Sequence, residues 1–156
     1  MRRRSMAFLL IPALVLGCSH KPPYEGRSVA ELERMLADPS STVRIQGAYG
    51  LSLHGPEARP ALPALVDALH SSDTLLRMQA ALALGAIGPG ARDAVPPLTA
   101  ALDDPEWSVR RQAAVALGQI GPEAESAAPV LRRLQHDDPN GLVRKAVDQA
   151  LPRLQP

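Results

Sequence analysis

Between Val43 and Gly121 the chain repeats one pattern of apolar and polar positions. The runs VRIQGAYGLSLHG, LRMQAALALGAIG and VRRQAAVALGQIG space their apolar residues by three and four, the period of an α-helix with one buried face. Wound at about 100° per residue, the third run carries Val109, Ala113, Leu117 and Ile120 on one side and Arg111, Gln112, Val115 and Gln119 on the other. Shorter apolar runs alternate with these: ALPALVDALH, AVPPLTAALDD and AAPVLRRLQHDD, the first with Leu62, Leu65, Val66 and Leu69 at helical spacing. Pro63, Pro96 and Pro129 fall in the first turn of the short runs, where an amide N–H has no intrahelical partner to lose. Each long run stops at Gly55, Gly88 or Gly121, and a proline follows. Glycine in a left-handed cap with proline behind it ends a helix. The pattern therefore predicts short and long helices in alternation.

These breakers keep step. Gly55, Gly88 and Gly121 are 33 residues apart, as are Pro63, Pro96 and Pro129, Arg44, Arg77 and Arg110, and Gln46, Gln79 and Gln112; Arg144 arrives one residue late. A fixed period of this size marks stacked repeats. Asp38-Pro39, Asp104-Pro105 and Asp138-Pro139 read as capping acids before a proline at the first helical position, and Ser28 with Glu31 as a capping box. A single helix pair leaves its apolar flank wet, so the units must stack. The ends need polar faces, which Glu31, Glu33 and Arg34 supply at one end and Lys145, Asp148 and Gln149 at the other, before Pro152 weakens the last helix.

These motifs resemble HEAT repeats, in particular the short HEAT-like units of the phycobilisome-lyase type, whose second helix is similar to VRRQAAVALGQIG. The resemblance covers residues 28 to 154 and implies an all-α, right-handed α-solenoid of about four helix pairs, with units at about 28–58, 59–91, 92–124 and 125–156. It also implies a ladder of hydrogen bonds between units, built from a turn acid and an arginine six positions later. Asp38 with Arg44, Asp104 with Arg110 and Asp138 with Arg144 keep that spacing. Before Arg77 the acid is replaced by Ser71, so an interruption is expected in the second unit.

The amino terminus differs from the rest. Arg2, Arg3 and Arg4 precede an apolar run of about eleven residues, MAFLLIPALVL, too short to span a bilayer and ordered like a secretory signal. Val15 to Cys18, VLGC, resembles the lipobox of bacterial lipoproteins, although Leu16 stands where a small residue is more usual. That implies a signal peptide over 1–17, lipidation of Cys18, and an extracytoplasmic chain held at the bacterial cell envelope. Ser19, directly after the cysteine, lacks the acid that marks inner-membrane retention in enteric systems. Residues 18–27 read as a flexible polar tether reaching at most about 35 Å. Without its leader the chain keeps 14 basic and 16 acidic residues, so the basic footprint that nucleic-acid binding needs is absent.

Candidate chemistry is sparse. Cys18 is the lone cysteine, which excludes an intramolecular disulfide. His20, His54, His70 and His136 lie in the tether and three different units, without the spacing of a metal site, and His54 occupies the packing position of Ile87 and Ile120. Asp103-Asp104 and Asp137-Asp138 are explained as helix caps, and Trp107 as a cover over its turn or an interface anchor. No catalytic residue, cofactor or metal is expected. The outward side of the long helices is instead notable: Ile45, Gln46, Tyr49 and Leu53, then Met78, Gln79, Leu82 and Ala86, then Arg111, Gln112, Val115 and Gln119. A face that merely met water would be polar. The resemblance implies that second helices line a concave surface, which makes Ile45, Gln46, Tyr49, Met78, Gln79, Leu82, Arg111, Gln112 and Val115 candidates for binding a protein partner. The competing expectation is that they pack between neighbouring second helices. A non-catalytic binding or scaffold module is the leading functional reading. A bilin-lyase-like enzyme or chromophore-handling protein, and a structural envelope component assembling with itself, are the alternatives.

Overall fold

The computed structural model describes residues 21–155. The leader 1–17 and Cys18 lie outside them. Eight α-helices follow one another: α1 (Val29–Met35), α2 (Ser41–His54), α3 (Leu62–Ala68), α4 (Thr74–Ile87), α5 (Val95–Ala101), α6 (Trp107–Ile120), α7 (Ala128–Asp137) and α8 (Gly141–Ala150). They pair as short and long in the first three units and as equals in the fourth, and the pairs stack into an all-α solenoid with no strand among the described residues.

Local chemistry accounts for the ends of these helices. At α1, Ser28 N–H donates to Glu31 Oε2 at 2.9 Å and Glu31 N–H to Ser28 Oγ at 3.4 Å, the capping box read from the sequence. Asp73 Oδ1 caps α4 by accepting from Leu75 and Leu76 N–H, and Asn140 Oδ1 caps α8 by accepting from Leu142 N–H. The turn acids act differently from the expectation. Asp38, Asp104 and Asp138 stand two residues before the N-caps Ser40, Glu106 and Asn140, and accept the N–H of those residues at 2.8 to 2.9 Å. This is an Asx turn, in which a short carboxylate replaces a backbone acceptor and the proline lies in the turn outside the helix.

The long helices end at Gly55, Gly88 and Gly121, with φ of 57°, 69° and 83° and ψ of −131°, −143° and −142°. This is not the left-handed cap expected above but the positive-φ extended region that only glycine visits cheaply. Three 3-10 segments follow, Gly55–Ala61, Gly88–Ala94 and Gly121–Ala127. Each buries two alanines completely: Ala58 and Ala61, Ala91 and Ala94, Ala124 and Ala127. The breaker-rich links are thus part of the core. Pro63, Pro96 and Pro129 sit at the second position of α3, α5 and α7, as their missing N–H allows.

One continuous core runs through all units, with Leu32, Leu51, Leu65, Leu84, Leu98, Leu117, Leu131 and Leu154 fully buried. Successive long helices approach closely along their backbones, whereas successive short helices do not. Small residues permit the approach: a Cβ on Gly118 would lie 2.9 Å from Ala150 Cα, and one on Gly85 2.8 Å from Ala116 Cα. Because the spacing is tighter on the long-helix side, the array bends toward it.

Both ends are closed. Gly50 occupies the register of Ala83, Ala116 and Ala150, the side that meets the preceding helix, yet a Cβ there would lie 2.9 Å from Tyr24 Cβ. The segment read as part of a flexible tether therefore contains an ordered turn. Glu25 N–H donates to Pro22 O at 2.9 Å, the Tyr24 ring meets Tyr49 edge-on at 5.0 Å, and His54 Nε2 bonds Arg27 O at 3.0 Å. The tyrosine supplies the apolar area that a polar tether was expected to lack. At the other end, Asp148 replaces the buried Ala81 and Ala114, and Gln135 replaces the buried Leu69 and Leu102. Gln135 Nε2 donates to Asp148 Oδ1 at 2.8 Å, so the final surface is wet and self-satisfied.

Candidate functional site

The arginine ladder holds the units in register. Arg77 Nε and Nη2 donate to Asp104 Oδ2 and Oδ1 at 2.7 and 2.9 Å, and Arg110 Nε and Nη2 to Asp138 Oδ2 and Oδ1 at 2.7 and 3.1 Å. Each Nη1 turns back to its own unit: Arg44 to Asp38 O, Arg77 to Ser71 O, Arg110 to Asp104 O, and Arg144 to Asp138 O. Hence the acid six positions upstream contributes its carbonyl, and the carboxylate comes from the following unit. Ser71 keeps its carbonyl role, and the missing acid is felt instead by Arg44, which finds no carboxylate. Ser41 Oγ and Asp73 Oδ2 join the first two units there. Burial pushes the Asp104 and Asp138 carboxyls up, but the hydrogen bonds from Arg77 and Arg110, the N–H groups of Glu106 and Asn140 and the charges of the nearby arginines together outweigh it and hold both below the ordinary value. The same bonds raise Arg77 and Arg110. With side chains 1% to 13% exposed, these four groups are committed to one another.

The outward residues of the long helices form parallel rows on the inner side of the bend. Ile45, Met78 and Arg111 make one row, Gln46, Gln79 and Gln112 a second, and Tyr49, Leu82 and Val115 a third, each set at one register position of α2, α4 and α6. All nine are partly covered except Arg111, which is exposed. Ile45 and Val115 lean on the core and Tyr49 on Tyr24, while the close helix contacts are made by Gly85, Ala116, Gly118 and Ala150. The nine side chains thus lie over those seams, partly exposed, with Arg111 the most open. Gln79 Oε1 is buried without a hydrogen-bond partner, the one such side-chain atom among the described residues.

Two further features lie beyond the nine candidate binding residues. Leu53, one turn past Tyr49, is 63% exposed and begins a fourth row with Ala86 and Gln119; the first, third and fourth rows continue onto the last unit as Lys145, Gln149 and Arg153, and the glutamine row as the buried Ala146. A cleft of about 40 Å³ lined by Val115, Gly118, Ala146, Gln149, Ala150 and Arg153 places Arg153 on this same face. The 34-residue step of Arg144 was the signal that could have found them. Leu75, Trp107 and Leu142 make a separate exposed edge at the starts of α4, α6 and α8. Trp107 borders a shallow groove with Pro105, Arg110, Pro139 and Asn140.

A groove of about 510 Å³ lies between α7 and the Leu151–Leu154 turn, where Glu125 and Arg132 are the titratable lining groups. Among the described residues no set of three or more His, Cys, Asp and Glu side chains could hold a metal ion, and no helix is long and apolar enough to cross a membrane.

Comparison with known proteins agrees with this architecture. The sequence profile of the HEAT repeats matches residues 29–92 and 62–152. No curated protein is detectably similar in sequence. Among solved structures, an engineered protein superposes with a TM-score of 0.65 at 26% identity, covering 81% of this chain and 62% of its own. Human deoxyhypusine hydroxylase, in complex with glycerol, superposes with a TM-score of 0.64 at 34% identity, covering 85% of this chain and 45% of its own. The chain thus spans less than two thirds of the length of either. With both profile matches falling on the stacked helix pairs, the chain belongs to the HEAT-repeat family.

Proposed function

We propose that this chain is a non-catalytic protein-binding module, lipid-anchored through Cys18 at a bacterial cell envelope, whose partner lies along the inner face of the long helices. The observation that carries the binding function is the set of half-exposed apolar side chains Ile45, Tyr49, Met78 and Leu82 on the inner side of the bend. Water gains nothing from such a surface, and a partner that covers it removes apolar area from solvent. HEAT-repeat solenoids commonly serve as interaction scaffolds, and an extended face of this kind binds by area rather than by a deep pocket. The two closed ends support a finite module over an end-to-end polymer. The anchor rests on the VLGC motif and the basic, apolar leader.

The decisive comparison uses the full chain as bait in cross-linking from membranes, beside a Met78→Asp, Leu82→Asp variant. A variant that keeps its helical melting curve but loses the cross-linked partner is expected. Loss of folding would assign these side chains to packing, and undiminished cross-linking would remove the face from consideration. Mass determination of the mature amino terminus tests the anchor, with a diacylglyceryl Cys18 expected and an unmodified residue refuting it.

A further inference from the structure

We propose that the occupant of the inner face is an amphipathic segment of another protein, apolar where it meets α2 and α4 and acidic where it meets α6 and α8. This rests on the protein-binding reading above and adds the chemistry and polarity of the partner. Followed along the array, three of the four register rows change character in the same direction, while the glutamine row Gln46, Gln79 and Gln112 ends at the buried Ala146. Ile45 and Met78 give way to Arg111 and Lys145, Tyr49 and Leu82 to Val115 and Gln149, and Leu53 and Ala86 to Gln119 and Arg153. No position in these three rows is acidic, although acidic residues outnumber basic ones beyond the leader.

The three cations differ from the arginines that are committed within the array. Arg44, Arg77, Arg110 and Arg144 have Nη1 committed to carbonyls of their own turns, and Arg133 pairs with Asp103. Arg111, Lys145 and Arg153 are exposed, and among the described residues none of them makes an ion pair or a side-chain hydrogen bond. The neighbouring acids do not neutralise them: Asp148 accepts from Gln135 on the short-helix side, and Glu123 is not paired with Arg153. Exposed cations of one sign on one face, without an internal partner, favour an arriving carboxylate. A polyanion such as nucleic acid would leave the apolar half of the same face uncovered.

The test uses the full chain and three fluorescent helical peptides of equal length. One has leucines in one half and glutamates in the other, the second carries lysines in place of the glutamates, and the third has the glutamates without the leucines. Anisotropy should show binding of the leucine–glutamate peptide and weak or no binding of the other two. Arg111→Glu, Lys145→Glu, Arg153→Glu together should weaken it by roughly tenfold to a hundredfold, with the loss shrinking as salt rises, and should admit the lysine peptide. All three residues are exposed, so an unchanged melting curve is expected. If Met78→Asp, Leu82→Asp abolishes binding but charge reversal does not alter it, the face binds protein and the acidic occupant is wrong. If neither set matters, or the first peptide does not bind, the binding face itself is wrong. Anionic phospholipid vesicles are the remaining arm, and binding to them in preference to the peptide would overturn the proposal.

Discussion

Replacing Arg110 with methionine should be the most damaging single change on the surface layer of this array, and Arg44→Met offers its internal control. Both arginines donate to two carbonyls of their own turn, Arg44 to Asp38 and Pro39 at 2.8 and 2.9 Å and Arg110 to Asp104 and Pro105 at 2.8 and 3.1 Å. Only Arg110 also holds a carboxylate, that of Asp138, whose side chain is 1% exposed. Removing Arg44 therefore loses one charged donor, Nη1, shared between two carbonyls, about 1.5–3 kcal/mol. Removing Arg110 loses the same bonds and strands a buried negative charge, and breaking such a pair from one side costs roughly 3–5 kcal/mol. Against a total of about 5–15 kcal/mol, that difference is visible as midpoints in urea followed by far-ultraviolet circular dichroism. The cycle Arg110→Met, Asp138→Leu and the double variant isolates the pair, with the double expected to be less destabilised than the sum of the singles. Equal losses for Arg44→Met and Arg110→Met, or an additive cycle, would refute the claim that the rung joins units.

Three other outcomes follow from the same structure. Gly118→Val should lower stability by about 1–3 kcal/mol, because its Cβ would meet the Ala150 backbone at 2.9 Å, whereas Gly141→Ala, with nothing nearer than Arg144 at 3.6 Å, should be neutral or gain up to about 1 kcal/mol; chemical denaturation compares them. The lowered Asp104 and Asp138 carboxyls stabilise the fold fully above the unfolded value near 3.8 and lose that contribution as pH falls through their folded values. Denaturation midpoints should accordingly drop below about pH 4, less steeply in Asp138→Asn, and an unchanged slope in that variant would contradict the assignment. Gln135→Leu with Asp148→Ala restores the internal-unit residues at the carboxy-terminal end, so sedimentation velocity should show concentration-dependent association that the parent chain lacks.

Much of the fold was legible because the stops are local. A Gly-Pro pair ends a helix whatever surrounds it, and the step from Gly55 to Gly88 to Gly121 therefore revealed the units without any tertiary information. The ladder was legible only in half. The six-residue spacing of Asp104 and Arg110 identifies the participants, but the carboxylate that meets Arg110 belongs to Asp138, 28 residues away, and that contact exists only once units stack. The 3-10 turns of GPEARPA and its counterparts left no mark in the pattern, because they are held by alanines buried against neighbours rather than by an amphipathic period. Tyr24 was hidden for a similar reason, since a polar, proline-containing stretch gives no sign that one aromatic ring will find Gly50. On the inner face, periodicity identified the outward positions of the second helices. The drift toward Lys145 and Arg153 escaped because Pro152 interrupts the helical pattern that would have carried it.

The identical glycine stops have a consequence for how such a chain changes over generations. Loss of residues 88–120 would join Ile87 to Gly121, leaving a joint of the kind already present and bringing Arg77 opposite Asp138 in the place of Asp104. Interior modules are therefore interchangeable parts, and only the first and last are specialised. The reach of the inner face can then lengthen or shorten in whole steps of 33 residues while every seam keeps its fit.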